Sequence, residues 1–401
     1  MFLKRLFQTA LLSLSAAFGF AQAQTTLEWW DYYTDGANNS AVSALIDKYE
    51  EAHPDVDINR TTIPFGDLKA RIIQAAATGT MPDLLIIDNP DHQAIAAQGA
   101  LADLTDVMAD WEAKDLYFEG PWSSTVYEDR NYGVPFGSNA TALFYNKDAF
   151  EEAGIAAPPQ TWEELRSAAQ QLTTGGRSGF CLSLINTEEG TFTFLPLLWQ
   201  AGGDIPTVGE APTVEALGFL DALMNEDGSV SRAAISWGQG DVYNQFIGGQ
   251  CAMMINGPWQ LPVIREENLA FEWDVAPWPQ NEERASSLGG ENFAVGNSAD
   301  VGVVWGVLEW MTRPENLKEA LLINGYLPNR SDMAEDPDLL EDPVKAVFVD
   351  MVAIAKARAY GPNYPQISEQ IMAMVQSVLA GGRSPEEAAQ AAAAAIGPLL
   401  Q

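Results

Sequence analysis

The chain has 401 residues, 47% of them hydrophobic, which is enough for two domains that each bury a core. Its 55 acidic residues outweigh 21 basic ones and give a formal charge of −34, so the basic patch needed for nucleic acid or anionic lipid is missing. The acidity reads as a solvated surface or as an acidic pocket for a cationic ligand.

At the N-terminus, Lys4 and Arg5 precede an uncharged apolar stretch, Leu6 to Phe20, and Ala21-Gln22-Ala23 supplies the small residues of a signal-peptidase site. Residues 1–23 therefore read as a signal peptide and 24–401 as the mature protein. No later run of 18 apolar residues suggests a membrane span. With no cysteine near the cleavage site, a free periplasmic monomer is expected rather than a lipid-tethered one.

Thr25 to Trp30 reads as a strand, followed by a polar loop from Asp31 to Asn39. Ser40 is an N-cap candidate for a helix whose Val42, Leu45, Ile46 and Tyr49 fall on one face. A second helix spans Asp67 to Thr78 and ends at Gly79, and the wholly apolar Leu84–Ile87 has the composition of a parallel strand covered on both faces. The alternation continues through Leu143–Tyr145, a helix ended by Gly154, and one opened by the capping box Thr161-Trp162-Glu163-Glu164. Strands are expected at 179–184, 251–256 and 273–276, with helices at 212–225 and 239–248. From Ala299 onward the chain reads as mostly helix, and Ser384-Pro385-Glu386-Glu387 caps an Ala-rich last one. The order is α/β with a helical tail. No Pro/Gly-rich linker separates two domains, which implies that more than one chain crossing joins them.

Cys181 and Cys251 lie in apolar runs and would pair if those runs are neighbours; two buried thiols are the other reading. With His53 and His92 as the only histidines, a zinc site is not expected, and His92 reads as an ordinary loop residue. No cofactor is called for: the Gly-x-Ser-x-Gly, His-Glu-x-x-His and phosphate-loop motifs are absent, and Gly238-Gln239-Gly240 lacks the third glycine of a dinucleotide loop. The chain does carry aromatics beside Gly, Asn and Asp in strand-to-helix loops, where open α/β sheets bind ligands: Trp30, Tyr32, Tyr33, Trp259, Tyr326 and Tyr364. Such a mixture suits sugars, whose C–H faces stack on aromatic rings while their hydroxyls meet amides and carboxylates.

Five segments together resemble the extracellular sugar-binding proteins of ABC importers. They are Met81-Pro82-Asp83-Leu84, Tyr132-Gly133-Val134-Pro135, Leu143-Phe144-Tyr145-Asn146-Lys147-Asp148, Trp199-Gln200-Ala201-Gly202-Gly203-Asp204 and Ala252-Met253-Met254-Ile255-Asn256-Gly257-Pro258-Trp259. The resemblance implies a two-lobed α/β periplasmic-binding-protein fold with hinge crossings and a ligand cleft between the lobes. Lobe one would be 24–137 plus 290–328, and lobe two 138–289 plus 329–401. The family's contact positions fall on Tyr32, Tyr33 and Asp35, on Asp88, Asn89 and Asp91, on Asn139, on Glu189 and Phe192, on Trp259, on Gly290, Glu291 and Asn292, and on Tyr326. Asn139 stands where the maltose-binding member has a carboxylate, and that member's basic side chains near Asp91 are missing, so maltose itself is not implied. The implied function is capture of a neutral mono- or oligosaccharide by closure of the lobes and its delivery to an inner-membrane permease. A polyamine or other cation binder and a secreted carbohydrate-active enzyme are the alternatives.

Overall fold

The computed structural model describes residues 24–34, 36–340 and 342–401; residues 1–23, expected to be a signal peptide, and Asp35 lie outside the described residues. Among these, eight strands longer than two residues are β1 (Thr25–Asp31), β2 (Val56–Thr62), β3 (Leu84–Asp88), β4 (Gly133–Asn139), β5 (Ala142–Asn146), β6 (Met253–Asn256), β7 (Trp273–Ala276) and β8 (Gly289–Val295). Five form one sheet in the order β2-β1-β3-β8-β4, and three form a second in the order β6-β5-β7. β1 runs parallel to β2 and β3, and β8 is antiparallel to both β3 and β4. All pairs of the second sheet are antiparallel.

Each sheet has its own core. Leu84, Leu85, Ile86 and Ile87 are all buried, as a strand covered on both faces requires. On the first helix, α1 (Gly36–Ala52), Val42, Leu45, Ile46 and Tyr49 turn inward together. Burying each such side chain contributes on the order of 2 kcal/mol. The helix begins four residues before Ser40, which sits inside the first turn and donates its hydroxyl to the Gly36 carbonyl instead of capping. The helix ended by Gly79 is α2 (Phe65–Thr78), and the next, α3 (Asn89–Ala97), springs directly from β3. The other core is built on Phe144, Phe194, Leu195, Trp199, Met253 and Met254, with Ile367, Ile371 and Val375 from the helical tail.

The expected strand at 179–184 is instead a pair of parallel bridges, Ser178 to Cys251 and Cys181 to Met254. Its amides alternate between partners: Phe180 N–H donates to Ser229 and Cys181 N–H to Met253, so no continuous ladder forms. This contact brings Cys181 and Cys251 together as a disulfide with Cα atoms 6.1 Å apart.

The chain passes between the sheets at three places. β4 leads into β5 after Asn139, and the segment before β8 returns. A third passage lies between Leu339 and Phe348, and Leu327 is tied to the first passage by its amide and carbonyl, which pair with Ser138. Met333 and Leu339, expected in lobe two, pack in the first core, while Phe348 and Met351 pack in the second. No described helix is long and apolar enough to cross a membrane.

Candidate functional site

The loops at the carboxyl ends of β1 and β3 face the second sheet across a cleft of about 390 Å³. From the first lobe come Tyr32, Tyr33, Thr34, Asn38, Phe65 and Asp88; Asn139, Gly289, Gly290 and Glu291 line the passage between sheets. The opposite wall is Glu188, Glu189 and Phe192 from the start of α4 (Glu188–Gln200), Gln239 and Gly240 from a second helix start, and Trp259 with Gln260. Tyr326 and Arg358 complete it.

Two aromatic surfaces meet there. Tyr32 and Phe65 pack edge to face at 5.0 Å on one side, and Phe192 and Trp259 lie 6.4 Å apart, tilted by 40°, on the other. The Trp259 ring folds back over Gly257 so closely that any Cβ at 257 would collide with it. This explains the glycine of the Asn-Gly-Pro-Trp motif.

Glu291 lies at one corner. Tyr32 donates to its Oε1 at 2.5 Å and Tyr326 at 2.9 Å, while Oε2 is buried without a partner. Burial raises the Glu291 carboxyl from 4.5 to about 7 against the opposing effect of the tyrosine hydroxyls. The three tyrosine hydroxyls are in turn pushed well above 10 by burial and by the Glu291 charge, and stay neutral. Gly290, at φ +134°, has a backbone only glycine adopts freely, and a Cβ there would strike the Gly137 carbonyl of β4.

At another corner Arg358, 2% exposed, pairs with Glu188, lies 3.5 Å from Asp88 and donates to Asn89 Oδ1 at 3.1 Å. Its guanidinium also stacks over Phe192 at 4.6 Å. Burial would lower the Arg358 pKa, but Asp88 and Glu188 outweigh it and raise it. Burial holds Asp88 well above the usual carboxylate range despite Arg358. Glu189 is raised by burial too, although Gln239 N–H donates to it at 2.6 Å.

Ten of the expected contact residues line the cleft: Tyr32, Tyr33, Asp88, Asn139, Glu189, Phe192, Trp259, Gly290, Glu291 and Tyr326. Asn89, Asp91 and Asn292 do not: strand period turns Asn292 away, and the other two are held by basic partners. Neighbours on β8 point to opposite faces, so Asn292 turns behind the sheet to donate to Ser124 Oγ at 2.9 Å and meet His92 Nδ1 at 3.3 Å. Asn89 is occupied by Arg358, and Asp91, on the first turn of α3, accepts from Lys69 at 3.1 Å, a basic partner the sequence reading had missed. His92 is not a loop residue: it is fully buried in α3, and desolvation lowers its pKa to about 3. Trp30 and Tyr364 also lie outside the cleft, Trp30 under the Arg71 guanidinium and Tyr364 donating to Glu188 at 2.7 Å. Glu188, Gln239 and Arg358 are among the polar lining residues that sequence reasoning passed over, with Thr34, Asn38 and Gln260. Arg358 stands in Lys356-Ala357-Arg358-Ala359, and a cation flanked by alanines in so acidic a chain is the one signal that pointed to it.

Two lobes that each present aromatic and polar groups to a shared cleft define a solute-binding protein. Residues 44–346 match the model of the bacterial extracellular solute-binding protein family, well over half of the chain, and the chain belongs to that family. A putative binding protein of Brucella abortus (strain 2308) is 26% identical over 362 residues, 88% of either chain. The sn-glycerol-3-phosphate-binding periplasmic protein UgpB of Escherichia coli (strain K12) is 26% identical over 413 residues, 93% of this chain and 92% of its own. An ABC transporter solute-binding protein from Thermotoga lettingae TMO, solved with alpha-D-tagatose, superposes with a TM-score of 0.86 at 29% identity, covering 94% of this chain and 100% of that one.

Proposed function

We propose that the chain is the periplasmic, signal-peptide-exported binding component of an ABC importer, which captures a neutral carbohydrate in this cleft and passes it unchanged to a membrane permease. The observation that carries the reading is the pair of aromatic surfaces, Tyr32 with Phe65 and Phe192 with Trp259, facing each other across side chains that hydrogen-bond hydroxyls. The tagatose complex of the Thermotoga lettingae relative supports it. A phosphorylated solute, as named for UgpB, fits less well: Asp88, Glu188, Glu189 and Glu291 surround one guanidinium already held by two of them. The same carboxylates favour the second reading, a cationic solute.

The test is a thermal-shift screen of residues 24–401 against D-tagatose, maltose and other neutral sugars, sn-glycerol 3-phosphate and spermidine, followed by a search for hydrolysis products. A sugar at 100 times its Kd stabilises the native state by about 2.7 kcal/mol. The expected result is a shift with a neutral sugar, abolished in Trp259→Ala, with no turnover. A shift with spermidine alone transfers the cleft to the cation reading.

A further inference from the structure

The hydroxyl protons around Glu291 can be assigned one by one. Tyr32 and Tyr326 both donate to Oε1. Because the Tyr326 proton is committed there, the 3.3 Å contact between the Tyr33 and Tyr326 hydroxyls is a donation from Tyr33. All three tyrosine protons are thus committed within the cluster, which leaves Glu291 Oε2 unpartnered in a side chain that lines the cleft and is only 5% exposed. A buried acceptor left unpaired is destabilising, so the corner is built to be completed by a donor.

We propose that this corner, once Glu291 is ionised, is an acceptor subsite for a hydroxyl-bearing end of the sugar, and that a sugar hydroxyl donating to Glu291 Oε2 drives the carboxyl proton out into the buffer. The inference rests on the carbohydrate reading of the cleft. In the exchange, the Glu291 O–H bond breaks, its proton leaves with solvent, and the resulting carboxylate accepts the sugar O–H, which itself stays intact. Burial that holds the empty-site carboxyl at about 7 gives the exchange a proton to expel near neutral pH. The groups facing Glu291 are the three tyrosines, Asp88 on β3 and the Arg358 guanidinium; β4 presents only Gly137. His92, behind the sheet with its pKa near 3, contributes nothing near neutrality. His53 packs on Tyr49 and Trp310, neither of which lines the cleft.

The experiment is titration calorimetry of the mature protein with D-tagatose and with maltose, at pH 6 and pH 8, in two buffers of different ionisation heat. With about a tenth of the carboxyl ionised at pH 6, binding should be roughly tenfold weaker than at pH 8 and should release close to one proton. In Glu291→Gln both effects should vanish, and in Tyr326→Phe, which removes one donor to the carboxylate, the midpoint should move upward. A flat wild-type profile, or the wild-type slope retained in Glu291→Gln, overturns the proposal, and retention would assign the proton to Asp88. Binding of D-glucosamine but of neither neutral sugar overturns the hydroxyl assignment. Should none of these bind, the carbohydrate reading fails, and an infrared difference titration of empty wild type against Glu291→Gln decides the corner separately. A carboxyl band lost near pH 7 supports it, and a group already ionised at pH 5 sinks it.

Discussion

Replacing Arg358 by methionine keeps an unbranched apolar stem but removes the guanidinium, and with it both the stacking on Phe192 and the charge between Asp88 and Glu188. Those carboxylates are 11% and 9% exposed, so the change strands them in a poorly solvated place. Breaking a buried pair by deleting one partner costs about 3–5 kcal/mol. Glu188 keeps the Tyr364 and Ser368 hydroxyls as donors, so Asp88 carries most of the cost. At roughly 2–4 °C per kcal/mol, the melting temperature should fall by on the order of 10 °C. Asp88 in the folded protein already holds its proton more tightly than an ordinary carboxyl, and loss of Arg358 raises its pKa further. As pH falls through that raised value Asp88 becomes neutral, so the deficit of the variant should be largest at pH 8 and shrink toward pH 5. Adding Asp88→Asn should return a large part of the loss, a coupling that a double-mutant cycle reads directly. A calorimetric shift under 2 °C, or a deficit that grows as the pH drops, would refute the reasoning.

Glu291→Gln should stabilise the empty protein above neutral pH. Holding a carboxyl at about 7 in place of 4.5 costs about 3 kcal/mol once it is ionised; the penalty is absent below 4.5 and complete above 7, so melts at pH 5 and pH 8 should show the gain only at the higher pH. The Cys181–Cys251 bridge closes a sequence separation of 70 residues, worth about 4 kcal/mol in the chain-entropy account, and urea midpoints of Cys181→Ala/Cys251→Ala should fall accordingly; a loss under 1 kcal/mol would contradict it. Gly257→Ala should displace the Trp259 ring and weaken whichever sugar the screen identifies by tenfold or more. Combined with Trp259→Ala it should do little further harm, and full additivity in calorimetry would show that the two residues act separately.

Much of the fold was legible because local signals agreed. The apolar run Leu84–Ile87, the face of Val42, Leu45, Ile46 and Tyr49, and the hydroxyl caps at Thr161 and Ser384 all act over a few residues, and each stands where the sequence put it. The segment 179–184 did not, because the partners of its amides, Ser229, Ala234 and Met253, come from elsewhere in the chain and have no local signature. At the site, loop aromatics and the Asn-Gly-Pro-Trp motif gave the right neighbourhoods, but a stretch such as Gly290-Glu291-Asn292 cannot be resolved without knowing the strand phase. That phase sends Glu291 to the cleft and Asn292 behind the sheet. Arg358 carried only a compositional signal for the opposite reason: its role is defined by Asp88, Asn89, Glu188 and Phe192, all more than 160 positions away in sequence.

The two corners of the cleft differ in what completes them. Arg358 pairs with protein groups from both lobes, Asp88 and Asn89 from one and Glu188 from the other, with only its Nε buried without a partner, so these contacts draw the two lobes together. Under the proposed capture by lobe closure, they lower the free energy of the closed arrangement with no solute present. Glu291 does the reverse, since its unpaired oxygen and raised pKa make closure over an empty site costly. A solute shifts a two-state equilibrium only by its differential affinity for the two states. With Arg358 supplying part of the closing energy from within, a small molecule that satisfies Glu291 needs to add only the remainder, whereas one that cannot donate to Oε2 leaves the penalty standing. Selectivity on this account resides at Glu291 and affinity is set partly at Arg358, so Arg358→Met should weaken all bound sugars by a similar factor while Glu291→Gln should change their ranking. A parallel calorimetric series on the two variants, with hydroxyl and deoxy forms of the same sugar, separates these outcomes; equal rank orders in both would leave Glu291 no part in selection.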